Sequence, residues 1–246
     1  MKSFEQEVAE RIERNGRNEA LVQAAANFAA ESIAAQYSYN FSWLGRPIIQ
    51  YPQDMLAMQA LIWTVQPDLI IETGIAHGGS LIFSASMLEL NAACGGASQA
   101  HVVGIDIDIR SHNRAAIESH PMFKRITLIQ GSSIAPDILR QVGAIAAKCE
   151  RVMVCLDSNH THEHVLQELK AYAPLTSIGS YCIVFDTIIE DLPAAMYPDR
   201  PWGPGNNPKT AVREFLLSNP EFSSDVAIDH KLMISAAPEG YLLRIA

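Results

Sequence analysis

From about Pro52 onward the chain alternates short apolar runs with longer stretches whose apolar positions recur every three or four residues. The runs Asp68–Glu72, Val102–Asp106, Ile126–Ile129, Val152–Asp157 and Tyr181–Asp186 are rich in Ile, Leu and Val and too short for helices. They predict strands buried on both faces. Helical patterns near Pro52–Thr64, Ser80–Leu90, His112–Ser119, Ile134–Ala147, Glu163–Ala171 and Pro208–Leu217 stand before, between and after them. Strands joined by helix-length crossovers predict a parallel sheet covered on both sides, a three-layer α/β sandwich of Rossmann-like form. Two further runs, Lys231–Ser235 and Gly240–Ile245, follow each other too closely for a crossover. They predict a hairpin, completing a mostly parallel seven-stranded sheet with its last strand antiparallel.

Ahead of the sheet, Phe4 to Gln36 has a helical pattern that is Ala-rich from Leu21 to Ala35, and reads as one packing helix or a pair. Tyr37–Pro47 carries aromatic residues without a period and ends in a Gly/Pro break. The expected organisation is an N-terminal helical extension with an aromatic loop over residues 1–50 and one α/β domain over residues 51–246. The extension reads as a lid or an oligomer contact, without chemistry of its own.

The candidate chemistry lies where strands end. The first strand runs into Glu72-Thr73-Gly74-Ile75-Ala76-His77-Gly78-Gly79-Ser80. Glycine at 74 allows close approach to the backbone, and Gly78-Gly79 let the chain bend into a helix. The second strand ends in Asp106, placed to accept from a ribose diol, and Gly131-Ser132-Ser133 after the third offers small groups for the edge of an adenine. A pyrophosphate-binding turn would read GxGxxG and a Walker loop would continue Gly-Lys-Ser/Thr, and neither is present. Glu72 would repel a pyrophosphate but attract the ammonium and sulfonium of S-adenosylmethionine (SAM). SAM is therefore the expected cofactor, bound by Glu72, Gly74, His77, Gly78, Ser80, Asp106, Ser132, Ser133 and Asp157, and residues 51–246 become a SAM-binding domain. The competing readings are a dinucleotide oxidoreductase or, residue by residue, a capping Glu72 and a turn acid at Asp106.

The fourth strand ends in Asp157-Ser158-Asn159-His160-Thr161-His162-Glu163-His164. A zinc site using all three histidines is not expected, because alternate positions point different ways. Asp157 and Asp186, at the ends of neighbouring strands, are the expected Mg²⁺ ligands, since that cation takes one or two carboxylates and keeps waters. His160 is then the general base, with Asp157 its catalytic partner. A polar helix start with solvated histidines is the plain alternative. The Pro/Gly-rich stretch Pro198–Pro208 reads as a loop at the ligand-binding edge.

A net charge of −9 argues against a nonspecific nucleic-acid partner. Cys94, Cys149, Cys155 and Cys182 have no CxxC spacing and read as free thiols in a reducing compartment. No apolar run approaches the ~18 residues of a membrane span, and the start lacks a signal-peptide core, so a cytoplasmic location is expected.

Several segments together resemble one family: Tyr39-Asn40 with Trp43-Leu44-Gly45-Arg46-Pro47, Tyr51-Pro52-Gln53-Asp54, Glu72-Thr73-Gly74 with Gly78-Gly79-Ser80, Gly104 to Arg110, Asp157-Ser158-Asn159-His160, and Arg200 to Pro208. Over roughly residues 37 to 245 the chain resembles the cephalosporin hydroxylase / rhamnosyl O-methyltransferase family of class I methyltransferase-like proteins. The resemblance implies SAM, a Mg²⁺ site, often a homo-oligomer, and a hydroxyl on a saccharide or other natural product as acceptor. It implies reaction type less firmly, leaving a hydroxylase or a catalytically idle SAM-binding protein as alternatives. One position departs from the pattern: where the family and catechol-type enzymes tend to carry two adjacent metal-binding polar residues after the fifth strand, this chain has Phe185-Asp186. Phe185 offers no oxygen, so the expected Mg²⁺ site is a weakened one.

Overall fold

The structure, a computed structural model, describes residues 2–246. Two helices open the chain, α1 (Phe4–Gly16) and α2 (Glu19–Ala34), separated at Arg17 and Asn18. Asn18 caps α2 through its side chain, so the long helical pattern is a pair. α1 buries none of its own residues and lies on α9 (Val226–Leu232), close enough that a Cβ on Gly16 would strike the His230 ring. The aromatic segment forms a 3-10 turn at Tyr37–Asn40 and a short antiparallel hairpin, β1 (Phe41–Trp43) and β2 (Arg46–Ile48).

Helix α3 (Pro52–Val65) follows, with Pro52 in its first turn, where a missing N–H costs nothing. Then come β3 (Leu69–Thr73), α4 (Gly79–Ala93), β4 (His101–Asp106), α5 (Ser111–Glu118), β5 (Ile126–Gln130), α6 (Pro136–Ala146), β6 (Val152–Leu156), α7 (His162–Tyr172), β7 (Tyr181–Val184), α8 (Pro208–Ser218), β8 (Phe222–Ser224), α9 and β9 (Tyr241–Arg244). The sheet order is β5-β4-β3-β6-β7-β9-β8, with β9 antiparallel to both neighbours. Every residue of β3 and β6 is buried, as both-face coverage requires.

The expected sheet is present with one correction. Lys231–Ser235 is not a strand; the partner of β9 is Phe222–Ser224. The segment Val226–Leu232 has helical rather than alternating burial and is capped by Asp225, so it forms a helix between the two strands. Apolar side chains alternate across the sheet: Ile70, Met153 and Ile183 enter the core under α3 and α4, while Ile71, Val154 and Val184 enter the core under α6, α7 and α8. All four cysteines are free, and among the described residues no helix is long and apolar enough to cross a membrane.

Candidate functional site at the carboxyl edge

Strand period decides which side chains meet at the carboxyl ends. Two or four residues beyond Ile70, Met153 and Ile183, the side chains of Glu72, Cys155, Asp157 and Phe185 emerge toward α3 and α4. They line one cavity of about 390 Å³, counting its open mouth, together with Gln50 and Met55. β3 and β6 adjoin at the centre, and the connection from β3 runs to β4 while that from β6 runs the opposite way to β7, making the crevice in which open α/β sheets bind ligands.

Glu72 is buried and accepts a hydrogen bond from Ser80 Oγ. Burial pushes its carboxyl up to about 7, against the opposing effect of that hydroxyl. Gly74 has φ +82°, and a Cβ there would lie 1.9 Å from the Asp157 carbonyl oxygen. The close approach that needs glycine is therefore made by the protein's own β6 end. Gly78, at φ +80°, caps α4. Ala76 takes φ +43° without being glycine, and the turn around it is held from outside. Asn113 Nδ2 donates to the Ala76 carbonyl at 3.0 Å, and Arg46 Nε donates to the His77 carbonyl at 3.1 Å. The His77 ring is half-buried. Asp106 braces the same turn, accepting from Ile75 N and Asp108 N at 3.0 Å each; each oxygen retains a lone pair. Ser132 is half-exposed, whereas Ser133 is buried, with its hydroxyl 3.2 Å from His164 Nε2 and its carbonyl accepting from Tyr172.

Beside the cavity, Asp157, His160 and Asp186 each offer a donor atom, all within 4.8 Å of one another. His160 Nε2 lies 3.2 Å from Asp186 Oδ2. Burial, then the charges of Asp186 and Glu72, hold the Asp157 carboxyl well above the usual range. Among the described residues no Lys or Arg forms an ion pair with Asp157 or Asp186, and the three groups form a donor set able to hold a divalent cation. Asp186 sits at φ +56°, a left-handed conformation that Asp tolerates better than most residues. Phe185 is buried against the cavity and contributes no donor.

The three histidines diverge, as alternate positions dictate. His162 is held by Thr210 Oγ1 at 2.8 Å and Glu214 at 3.1 Å on α8. His164 lies 3.2 Å from the hydroxyls of both Ser133 and Ser158, and Ser158 donates to the buried Glu168. Only His160 faces the two acids.

The loop after β7 is pinned rather than loose. Glu190 accepts from Gly205 N at 2.7 Å and from Asn207, Asn206 Nδ2 donates to the Pro201 carbonyl, and Asn207 caps α8. These bonds carry Trp202 to His160, ring edge to ring face with centroids 4.8 Å apart, while Arg200 lies over the indole. Tyr197 in the same loop has its phenol pushed up to about 12, by burial first and then by Asp186. Arg46, Asn113, Trp202, Tyr197 and Gln50 also border the site; the sequence pointed to Tyr197 and Trp202 only as parts of a ligand-edge loop, and Asn113, on α5, carried no such signal. Asp54 also lines the cavity, but Ser235, Ala236 N and Tyr241 donate to its carboxylate at 2.6 to 2.8 Å.

A family model described as Rhamnosyl O-methyltransferase/CmcI matches residues 35–245. The chain belongs to this family. It is thereby a homologue of SAM-dependent O-methyltransferases. The rhamnosyl O-methyltransferase of Mycobacterium leprae (strain TN) is 28% identical over 222 residues, covering 87% of this chain and 90% of that protein. That of Mycobacterium bovis (strain BCG / Pasteur 1173P2) is 26% identical over 245 residues, covering 91% and 93%. Among solved structures, CmcI with Mg and SAM superposes with a TM-score of 0.58 at 20% identity, over 85% of this chain and 78% of that one. An O-methyltransferase from Bacillus cereus with SAH gives 0.53 at 17% identity over 81% of each chain. At these identities the superpositions establish the family's fold in this chain.

Proposed function

We propose that this member of the rhamnosyl O-methyltransferase/CmcI family transfers the methyl group of SAM, with Mg²⁺ assistance, to a hydroxyl on a saccharide or other natural product. The observation that carries the reading is the Asp157–His160–Asp186 cluster at the mouth of the cavity that holds Glu72. Two carboxylates without a basic partner are a hard-oxygen donor set that fits Mg²⁺. A buried acid in a cavity that has no Lys or Arg in its lining fits the cationic amino-acid end of SAM.

Glu72, Gly74, His77, Gly78, Ser80 and Asp157 would hold the methionyl side of SAM, Asp106 its ribose, and Ser132 with Ser133 the border of its adenine. SAM supplies a methyl group on a sulfonium. Asp157 and Asp186 would hold the cation, which when bound lowers the pKa of an acceptor hydroxyl. His160, placed by Asp186 and by the Trp202 ring, is the group that would take the hydroxyl proton. Trp202, packed on His160, and Tyr197, within reach of the Asp186 charge, would border the acceptor, and an aromatic face of this kind suits the C–H face of a sugar ring. A hydroxylase would want two histidines and one carboxylate on one open centre, and here His162 and His164 are committed elsewhere.

The test is methyl transfer from labelled SAM to a panel of glycosides and phenolic natural products, with and without EDTA. Activity that falls on chelation and returns with Mg²⁺, and that Asp157→Ala removes, supports the proposal; activity indifferent to both overturns the metal role. Mg²⁺ affinity kept in His160→Gln with kcat reduced about a hundredfold assigns the base. Mg²⁺ affinity lost in that variant makes His160 a third ligand instead.

A further inference from the structure

One cavity-lining residue that the proposed reaction leaves unused carries a buried polar atom without a partner. Gln50 is 8% exposed, and its Oε1 is buried without a hydrogen-bond partner. A buried amide oxygen left unpaired costs about as much as a lost hydrogen bond, so its presence in a ligand cavity points to a donor that arrives with the ligand. The backbone beneath it is fixed: Tyr51, next in the chain, caps α3 and its hydroxyl lies 2.6 Å from Ser32 Oγ on α2. Glu72 and Asp157 line the same cavity and, when ionised, only accept; Asp54 already accepts three hydrogen bonds, and no Lys or Arg contributes to the lining. Apart from the hydroxyls of Ser80, which donates to Glu72, and Ser84, the remaining walls are apolar, among them Met55, Met58, Phe83 and Phe185. Acceptors gathered on one largely apolar cavity describe the complement of a primary ammonium on a short alkyl chain.

Resting on the methyl-transfer reading above, we infer that Gln50 Oε1 accepts a hydrogen bond from the α-ammonium of SAM, so that Gln50 and Glu72 together grip the amino-acid end of the cofactor. An acceptor-sugar hydroxyl is the competing occupant. It would give Gln50 one donor but leave Glu72 without a counter-charge.

Calorimetry on wild type, Gln50→Met and Gln50→Glu separates the cases, using SAM, S-adenosylhomocysteine and 5′-methylthioadenosine, which lacks the amino-acid end. Gln50→Met should keep or raise the melting temperature, since it removes an unsatisfied group. It should also weaken SAM and S-adenosylhomocysteine about tenfold or more and leave methylthioadenosine unchanged. Gln50→Glu should bind both amino-acid-bearing ligands at least as well as wild type. Equal effects on all three ligands, no effect on any, or weakening by Gln50→Glu would overturn the inference, as would a raised acceptor KM at unchanged SAM affinity. Wild type that binds none of the three overturns the SAM reading itself, and the inference with it.

Discussion

Gly74 and Asp157 touch through their backbones: a Cβ on the glycine would sit 1.9 Å from the Asp157 carbonyl oxygen. The turn after β3 and the end of β6 are thus one mechanical unit, joining the glycine turn beside Glu72 to the acid of the Asp157–His160–Asp186 cluster. Gly74→Ala should push Asp157 away and add left-handed backbone strain, at a cost of about 3 kcal/mol. Gly45→Ala is the control, since that residue has φ +84° but nothing within 4 Å, and only the strain of about 1 kcal/mol applies. Urea unfolding of the two variants, with Mg²⁺ titration of each, checks both halves of the expectation.

A second expectation concerns pH. Glu72 has its carboxyl raised from an ordinary 4.5 to about 7 by burial. The folded state therefore binds a proton that the unfolded chain has released, and wild type loses stability as pH rises from about 4.5 to about 7. Glu72→Gln has no such loss, and its amide oxygen still accepts from Ser80. Its stability relative to wild type should climb across that window to at most about 3 kcal/mol and level off above it, while SAM affinity falls. Denaturant melts at pH 5 and pH 8 read the difference; an advantage that shrinks with pH would contradict the assigned cause.

The sheet was legible because its strands are buried on both faces and so read as unbroken apolar runs, Leu69–Ile71 and Val152–Cys155 among them. Lys231–Ser235 misled because a short run of mixed residues supports helix or strand equally; its first two residues end α9, and Ser235 turns its hydroxyl to Asp54. Glu72, Asp157 and Asp186 were legible from their places at strand ends. Arg46, Asn113 and Gln50 were not: their side chains work through distant backbone carbonyls or a cavity, relations that no local spacing encodes.

Arg46 gives the third prediction. Its guanidinium binds the His77 carbonyl and, at 3.2 Å, Asn113 Oδ1, while Asn113 holds the Ala76 carbonyl. The strained turn of Ala76 is kept by these bonds rather than by glycine. Arg46→Ala should therefore weaken SAM about tenfold, as loss of one charge-assisted bond allows. Arg46→Lys should recover only part, because a lysine cannot reproduce the planar fork. Kd for SAM alongside melting temperature tests this: a fall in stability without a change in Kd would make Arg46 a fold residue only.

The last prediction joins Asp186 to Asp157. After burial, the Asp186 charge is the largest cause of the raised Asp157 carboxyl, so the two acids compete for ionisation whenever no cation lies between them. Protons and Mg²⁺ then compete for Asp157, and the apparent Mg²⁺ affinity should fall as pH drops while still well above the range of ordinary carboxylates. Asp186→Asn removes one ligand charge and weakens Mg²⁺ at high pH. It also relieves the repulsion, so the Asp157 carboxyl moves down and the onset of proton competition shifts to lower pH. Calorimetric Mg²⁺ titrations of wild type and Asp186→Asn from pH 6 to 8.5 should show the variant weaker throughout but flatter with pH. A parallel offset, with the same pH slope in both, would mean that Asp186 does not act on the Asp157 proton.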